Sequence, residues 1–213
     1  MKYYQTSPNA FPLDYLSQLH GQISNCPYFA VNNLNRDFIG TKGFSLVFQR
    51  SGLGEVEQQF PFFKPYLNIA LQPTCNAFYL NPLLLQTGSR VDPHIDRSLR
   101  SYCKTIEPPT LVSVLYVQVP ATLQGGELVL RHNKRQVGQI RPQLNTLLYF
   151  QGNLTHSVNE VTSPGTRLSL VCEQYSLSET ELLEIPEFTI ESRAIKSNVK
   201  VGRRERKSTH KSS

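Results

Sequence analysis

Between residues 78 and 175, short apolar stretches broken by turn residues read as strands and turns, with no long stretch at helical spacing. Residues 110–119, rich in β-branched side chains, predict a long strand that stops at Pro120. Gly125, Gly126 and Glu127 open the next strand, at 128–130. Residues 145–150 predict another, leading through Gln151, Gly152 and Asn153 to a strand with His156, Ser157 and Val158. Residues 166–172 predict the last of the run, with Arg167, Ser169 and Val171 on one face.

The preceding part reads differently. Leu13, Leu16, Leu19 and Ile23 recur at helical spacing behind Pro12. Phe44, Leu46 and Phe48 alternate with Ser45, Val47 and Gln49, which predicts a strand over 43–50. A second helix is expected from Pro65, a favoured first-turn residue, through Leu71. The fold class is therefore mainly β with flanking helices (α+β), both helices packing outside the larger sheet. A chain of 213 residues with 39% hydrophobic content is one domain with a full core. The expected organisation is one domain over 1–192: support over 1–77, core over 78–177 and a C-terminal extension over 178–192. Residues 97–109, ending in Glu107-Pro108-Pro109, are expected to form a mobile lid.

One set of polar residues stands out from this pattern. His94 and Asp96 are two apart, His156 lies on a later strand, and Arg167 follows it by eleven residues. Two imidazoles and a carboxylate are the donor set of non-haem Fe(II) sites that keep other positions open. Residues two apart on a strand face the same way, so His94 and Asp96 can reach one cation, with His156 as third donor. Asp92 shares that face and rivals Asp96, but Pro93 disturbs regular strand geometry there. His20, His132 and His210 have no second donor at metal spacing. Taken alone, a His-x-Asp is equally a hydrogen-bonded pair at a strand edge, and a strand arginine equally a surface residue. In an apolar strand, however, an arginine needs an anion, because an unpaired buried charge is costly, and its planar fork fits a carboxylate.

The strand order together with these residues resembles the 2-oxoglutarate- and Fe(II)-dependent dioxygenase superfamily, particularly its prolyl-hydroxylase-like branch, over residues 78–176. Gly125-Gly126-Glu127-Leu128 is similar to a turn of that branch. The resemblance implies a double-stranded β-helix (jelly-roll, cupin-like) core with N-terminal helical support. It implies Fe(II) held by His94, Asp96 and His156, with O2 at a remaining position and ascorbate as a supporting reductant. Arg167 would fix the far carboxylate of 2-oxoglutarate, with Ser169 and Tyr116 assisting. The implied reaction hydroxylates a substrate C–H and releases succinate and CO2. The implied substrate is a prolyl or other amino-acid residue in a peptide, or a small molecule. Two positions depart from the family pattern: Leu84 stands where some relatives have a tyrosine, and Asn145 where a glycine is frequent.

Charge adds one further element. Residues 193–213 hold eight Lys/Arg and one Glu, whereas residues 1–192 are close to neutral. This run lacks apolar content and is expected to be a disordered basic tail. It reads either as a solubilising appendage or as an anchor for nucleic acid or an anionic surface, and in a eukaryote as a nuclear address. Two other functional readings stay open: a nucleic-acid-modifying (demethylating) oxygenase recruited by the tail, and a non-catalytic metal-binding scaffold. A Zn(II) hydrolase is disfavoured, since no general-base Glu lies beside either histidine. Cys26, Cys75, Cys103 and Cys172 are scattered without a CxxC, as free thiols in a reducing compartment are. No apolar run approaches a membrane span and the N-terminus has no signal-peptide pattern, so a cytoplasmic protein is expected.

Overall fold

The computed structural model describes residues 2–31 and 36–194. The basic run expected to be disordered thus lies outside the described residues from 195 onward.

The N-terminal part gives β1 (Tyr4–Pro8), α1 (Leu13–Ser24), β2 (Ala30–Val31), β3 (Phe38–Ile39), β4 (Lys42–Gly43) and β5 (Ser45–Gln49). Two short helices follow, α2 (Leu53–Gln59) and α3 (Lys64–Ala70). The core then runs through β6 (Ala77–Gln86), β7 (Arg90–His94), β8 (Leu111–Gln118), β9 (Leu128–His132) and β10 (Arg135–Ile140). It continues with β11 (Thr146–Gln151), β12 (Thr155–Val158) and β13 (Thr166–Tyr175), before α4 (Glu179–Leu182) and β14 (Phe188–Glu191).

These strands make two antiparallel sheets. The larger runs β1-β11-β8-β13-β6-β4-β2, with β5 also on β6 and β14 on β5. The smaller runs β10-β9-β12-β7-β3. From β6 to β13 the chain crosses repeatedly from one sheet to the other, which is the winding of a double-stranded β-helix.

The apolar run at 110–119 is explained by β8, which is buried on both faces. Val112, Val114 and Tyr116 face the smaller sheet, while Leu115 and Val117 face the helices. On that outer face Leu16, Leu19 and Ile23 of α1 and Phe63, Tyr66 and Leu67 pack against Leu80, Leu115, Leu147 and Leu170. Each such fully buried side chain stabilises by about 1.5–3 kcal/mol. A polar seam is buried within this layer. The Tyr66 hydroxyl and Ser113 Oγ lie 3.1 Å apart, and Gln174 Nε2 donates to Ser113 Oγ at 3.1 Å and to the Ala70 carbonyl at 2.9 Å. Satisfied on all sides, such a seam fixes where α3 sits on the sheet.

Two features differ from the pattern read along the chain. The strand expected over 43–50 is split around Phe44 into β4 and β5. The segment 97–109 is anchored rather than free: it forms a 3-10 turn at Ser98–Ser101, with Leu99 and Ile106 fully buried. β1 and β14 carried no readable alternation, since β1 is exposed throughout and β14 half-buried. Both form because the sheet offers an edge, at β11 and at β5.

Asn145 shows why a departure from the family pattern is tolerated. Its φ of 61° is left-handed, a conformation that suits glycine and that asparagine also adopts. Its side chain adds what glycine cannot, accepting from the Phe11 amide at 2.9 Å and donating to the Phe11 carbonyl at 2.6 Å. We expect Asn145→Gly to keep the backbone turn but strand both Phe11 groups, lowering stability by about 1–3 kcal/mol in urea unfolding. An unchanged midpoint would remove this role.

Candidate metal centre

His94 and His156 meet because their strands are neighbours. β12 pairs with β7, and His156 lies directly opposite His94. The register shifts between that pair and Val158↔Val91, leaving Asp92 and Pro93 opposite the single residue Ser157. This bulge has a consequence for the site. His94 is three residues from Val91, so regular alternation would turn it to the other face; the extra residue restores it to the inward side. A proline is tolerated at a bulge because no ladder donor is needed there.

Asp96 is not on the strand. β7 ends at His94, and Asp96 lies two residues beyond it, so the same-face argument for this pair holds in outcome but not in mechanism. Its carboxylate nonetheless sits between the imidazoles, Oδ1 at 3.2 Å from His94 Nε2 and Oδ2 at 3.4 Å from His156 Nε2. One ligand atom from each residue lies within 4.8 Å of the others. Asp92, the rival, is drawn away by Arg90, whose Nε donates to its Oδ1 at 3.0 Å.

The hydrogen bonds on the far side of each ring prepare both histidines for a metal. His94 Nδ1 lies 2.8 Å from the Asp92 carbonyl and His156 Nδ1 lies 3.2 Å from the Leu154 carbonyl. A carbonyl only accepts, so it selects the tautomer with the proton on Nδ1 and leaves the Nε2 lone pair for a cation. Phe38 packs on His94 with centroids 5.4 Å apart, and Phe150 on His156 at 5.0 Å.

The electrostatics favour positive charge here. Burial pushes His94 down, but the adjoining Asp96 carboxylate outweighs it and lifts the ring to about 9. Burial pushes Asp96 up, while the two imidazoles pull it below the usual carboxylate value overall. His156 is pushed down by burial despite the carboxylate. Asp96 Oδ2 is buried without a hydrogen bond. A divalent cation would satisfy that oxygen and both nitrogens together, so the donor set fits Fe(II).

Behind this centre lies a narrow cavity of about 40 Å³ lined by Tyr116, Arg167 and Ser169 as well as the three donors. Arg167 is 2% exposed, and its Nε and Nη1 have no hydrogen-bond acceptor. The Tyr116 hydroxyl is likewise buried without a hydrogen bond, and the guanidinium carbon sits 5.5 Å from its ring centroid. Burial raises the Tyr116 phenol, with the neighbouring guanidinium pulling the other way, and burial lowers Arg167. Ser169 Oγ reaches only the Leu83 carbonyl, at 3.5 Å. A buried cation with idle donors is a receptor for an anion.

The Gly-Gly turn protects this arrangement. Gly126 has φ +72°, and a Cβ there would lie 3.4 Å from Arg167 Nε and 3.3 Å from Val161. Gly125 has φ +77°, and a Cβ on it would come within 1.9 Å of the Glu160 carbonyl oxygen.

A second, larger cleft of about 520 Å³ opens past two of these donors, His94 and Asp96. Its walls include Tyr79, Asn81, Glu173 and Glu191, none of which the sequence reading singled out. Glu173 continues the face of Arg167, Ser169 and Val171, and a glutamate at that alternation was the signal that could have found it. Burial, with the Asp96 charge nearby, pushes Glu173 up to about 8.

Comparison with known proteins follows the same outline. Residues 78–172 match the model of the 2OG-Fe(II) oxygenase superfamily. No curated protein matches the chain. Among solved structures, a Pseudomonas putida prolyl-4-hydroxylase aligns with TM-score 0.55 and 16% identity over 82% of this chain and 93% of its own. A 2OG-Fe(II) oxygenase family oxidoreductase from Burkholderia pseudomallei aligns at 0.54 and 14%, covering 83% and 87%. A Trichoplax adhaerens prolyl hydroxylase, solved with a hypoxia inducible factor peptide fragment, aligns at 0.53 and 15%, covering 84% of each chain. At such identities the likeness shows the jelly-roll fold.

A pH dependence follows from Glu173. In the metal-free fold it keeps its proton up to about pH 8, but when unfolded only up to the ordinary value of 4.5. The native state binds the extra proton between those limits, so its contribution to stability falls as pH rises through them. Measured by urea unfolding, wild type should lose stability relative to Glu173→Gln across that window. A difference that does not vary with pH would contradict the raised value.

Proposed function

Residues 78–172 belong to the 2OG-Fe(II) oxygenase superfamily, and from that premise we propose that this oxidoreductase hydroxylates a C–H bond of an amino-acid residue, prolyl or other, in a peptide. His94, Asp96 and His156 hold the Fe(II), and Arg167 takes the far carboxylate of 2-oxoglutarate, with Ser169 and Tyr116 beside it. When bound, the iron supplies the O2 chemistry that couples decarboxylation of 2-oxoglutarate to succinate and CO2 with oxygen insertion into the substrate.

The observation that carries this reading is the pair of idle Arg167 donors, buried in a cavity directly behind the three-donor cluster. The chain's own residues supply orientation. The carbonyls of Asp92 and Leu154 hold the imidazoles in the ligating tautomer. The Arg167 fork fixes a small dicarboxylic acid at its far end, so that its other end faces the donors. Phe38, Val91, Phe150 and Val158 keep the inner cavity apolar, which excludes water from a reactive centre. The substrate enters from the outer cleft, past His94 and Asp96. A peptide is supported by the volume of that cleft and by the peptide-bound Trichoplax neighbour.

Residues 1–192 act as one unit, since β1 is woven onto β11 and β14 onto β5. Among the described residues no helix is long and apolar enough to cross a membrane.

Succinate release from 2-oxoglutarate, with Fe(II) and ascorbate, tests the activity against peptides, free amino acids and oligonucleotides, with His156→Ala as the blank. Peptide-stimulated succinate is expected; stimulation by oligonucleotides alone would replace the substrate class. Arg167→Ala should still bind metal but need about 10–100-fold more 2-oxoglutarate, the worth of a charge-assisted hydrogen bond. Unchanged co-substrate dependence would sink its role.

A further inference from the structure

The two imidazoles are locked into a sheet, but the carboxylate is not. His94 and His156 are paired across β7 and β12, whereas Asp96 stands past the end of β7, on the way into the turn Ser98–Ser101. A donor on a connecting segment needs something else to hold it in register with donors on strands.

What holds it comes from the other sheet. Glu173, 4% exposed on β13, receives the Ser98 amide at 3.2 Å on Oε2 and the Ser98 hydroxyl on Oε1. Its Oε2 also accepts from the Tyr175 hydroxyl, two residues along the same strand. The carboxyl group is thus bonded on both oxygens, with Ser98, two residues beyond Asp96, taking both ends. Leu99, fully buried beside Tyr175 and Ile106, seats the turn on the same sheet. β13 also carries Arg167, so a single strand bears both the anion receptor and this clamp.

We infer that Glu173 is a positioning residue for the metal centre, holding the Asp96 carboxylate in place by clamping Ser98 to the larger sheet. This rests on His94, Asp96 and His156 being the metal donors. The clamp acts through the backbone of the Asp96 segment, and Glu173 is not itself one of the metal donors. It accounts for a buried glutamate on β13 that the donor set and the co-substrate pocket leave without a task.

The test is Co(II) binding to the full chain without O2 or 2-oxoglutarate, read from the visible absorption of the bound ion, which reports both affinity and coordination. Glu173→Ala should weaken binding by roughly 10–100-fold and alter the spectrum, as loss of an outer partner of a metal ligand does. Glu173→Gln keeps an acceptor for Ser98 and should stay within about threefold with an unaltered spectrum, well below the loss expected for removal of such a partner. Ser98→Ala leaves β13 untouched and should shift affinity in the same direction by less, which decides the matter if Glu173→Ala fails to fold. Added to Glu173→Ala it should cost little more, because both act through one link. Equal losses in the Ala and Gln variants, or wild-type affinity and spectrum in both Glu173→Ala and Ser98→Ala, would overturn the clamp. Wild type that binds no Co(II) would instead remove the metal site itself, and the clamp with it.

Discussion

A carboxylate buried between two imidazoles is the constraint around which this molecule is built. Asp96 is held away from water with one oxygen lacking a hydrogen bond, an arrangement that costs free energy unless a positive charge arrives. Strain of this kind persists only where surrounding structure over-determines it. Here the surroundings are a strand pairing that fixes both rings, carbonyls that fix both tautomers, and two phenyl rings that restrict their tilt.

The same logic operates in the cavity behind. Arg167 and Tyr116 are buried with polar atoms that no protein group satisfies. Two adjacent deficits of opposite kind, an oxygen that wants a cation and a guanidinium that wants an anion, describe the ligands that would remove both. A metal ion, with an acid reaching from it to Arg167, would do so together. Gly126 leaves room beside the guanidinium, which ties a turn motif to the inner cavity as well as to chain reversal.

The chain is also organised so that one strand serves several tasks. β13 presents Arg167 and Ser169 to the inner cavity and Glu173 to the outer cleft along a single face. Its opposite face buries Leu168, Leu170 and Cys172 against the helical layer. A slip of one residue would exchange the faces and lose every one of these functions. Long pairings with β6 and β8 on both sides hold that register.

Some of this was legible along the chain and some was not. The alternation through 166–172, the apolar run at 110–119 and the His94, Asp96, His156 and Arg167 set were readable because period and residue type are local properties. The bulge at Asp92 and Pro93 was not, since it exists only relative to β12. Nor was the anchoring of 97–109, which depends on Leu99 and Ile106 meeting a core contributed by distant strands. β1 and β14 escaped notice because their pairing partners, not their own side chains, make them strands. By itself the sequence determined which chemistry is available, because donor types and strand periodicity are written residue by residue. Only the tertiary structure decided how those donors are held: that Asp96 is off the strand, that Asp92 is claimed by Arg90, and that Glu173 reaches across to Ser98. Those contacts join segments far apart in the chain, and no local pattern encodes a distance between them.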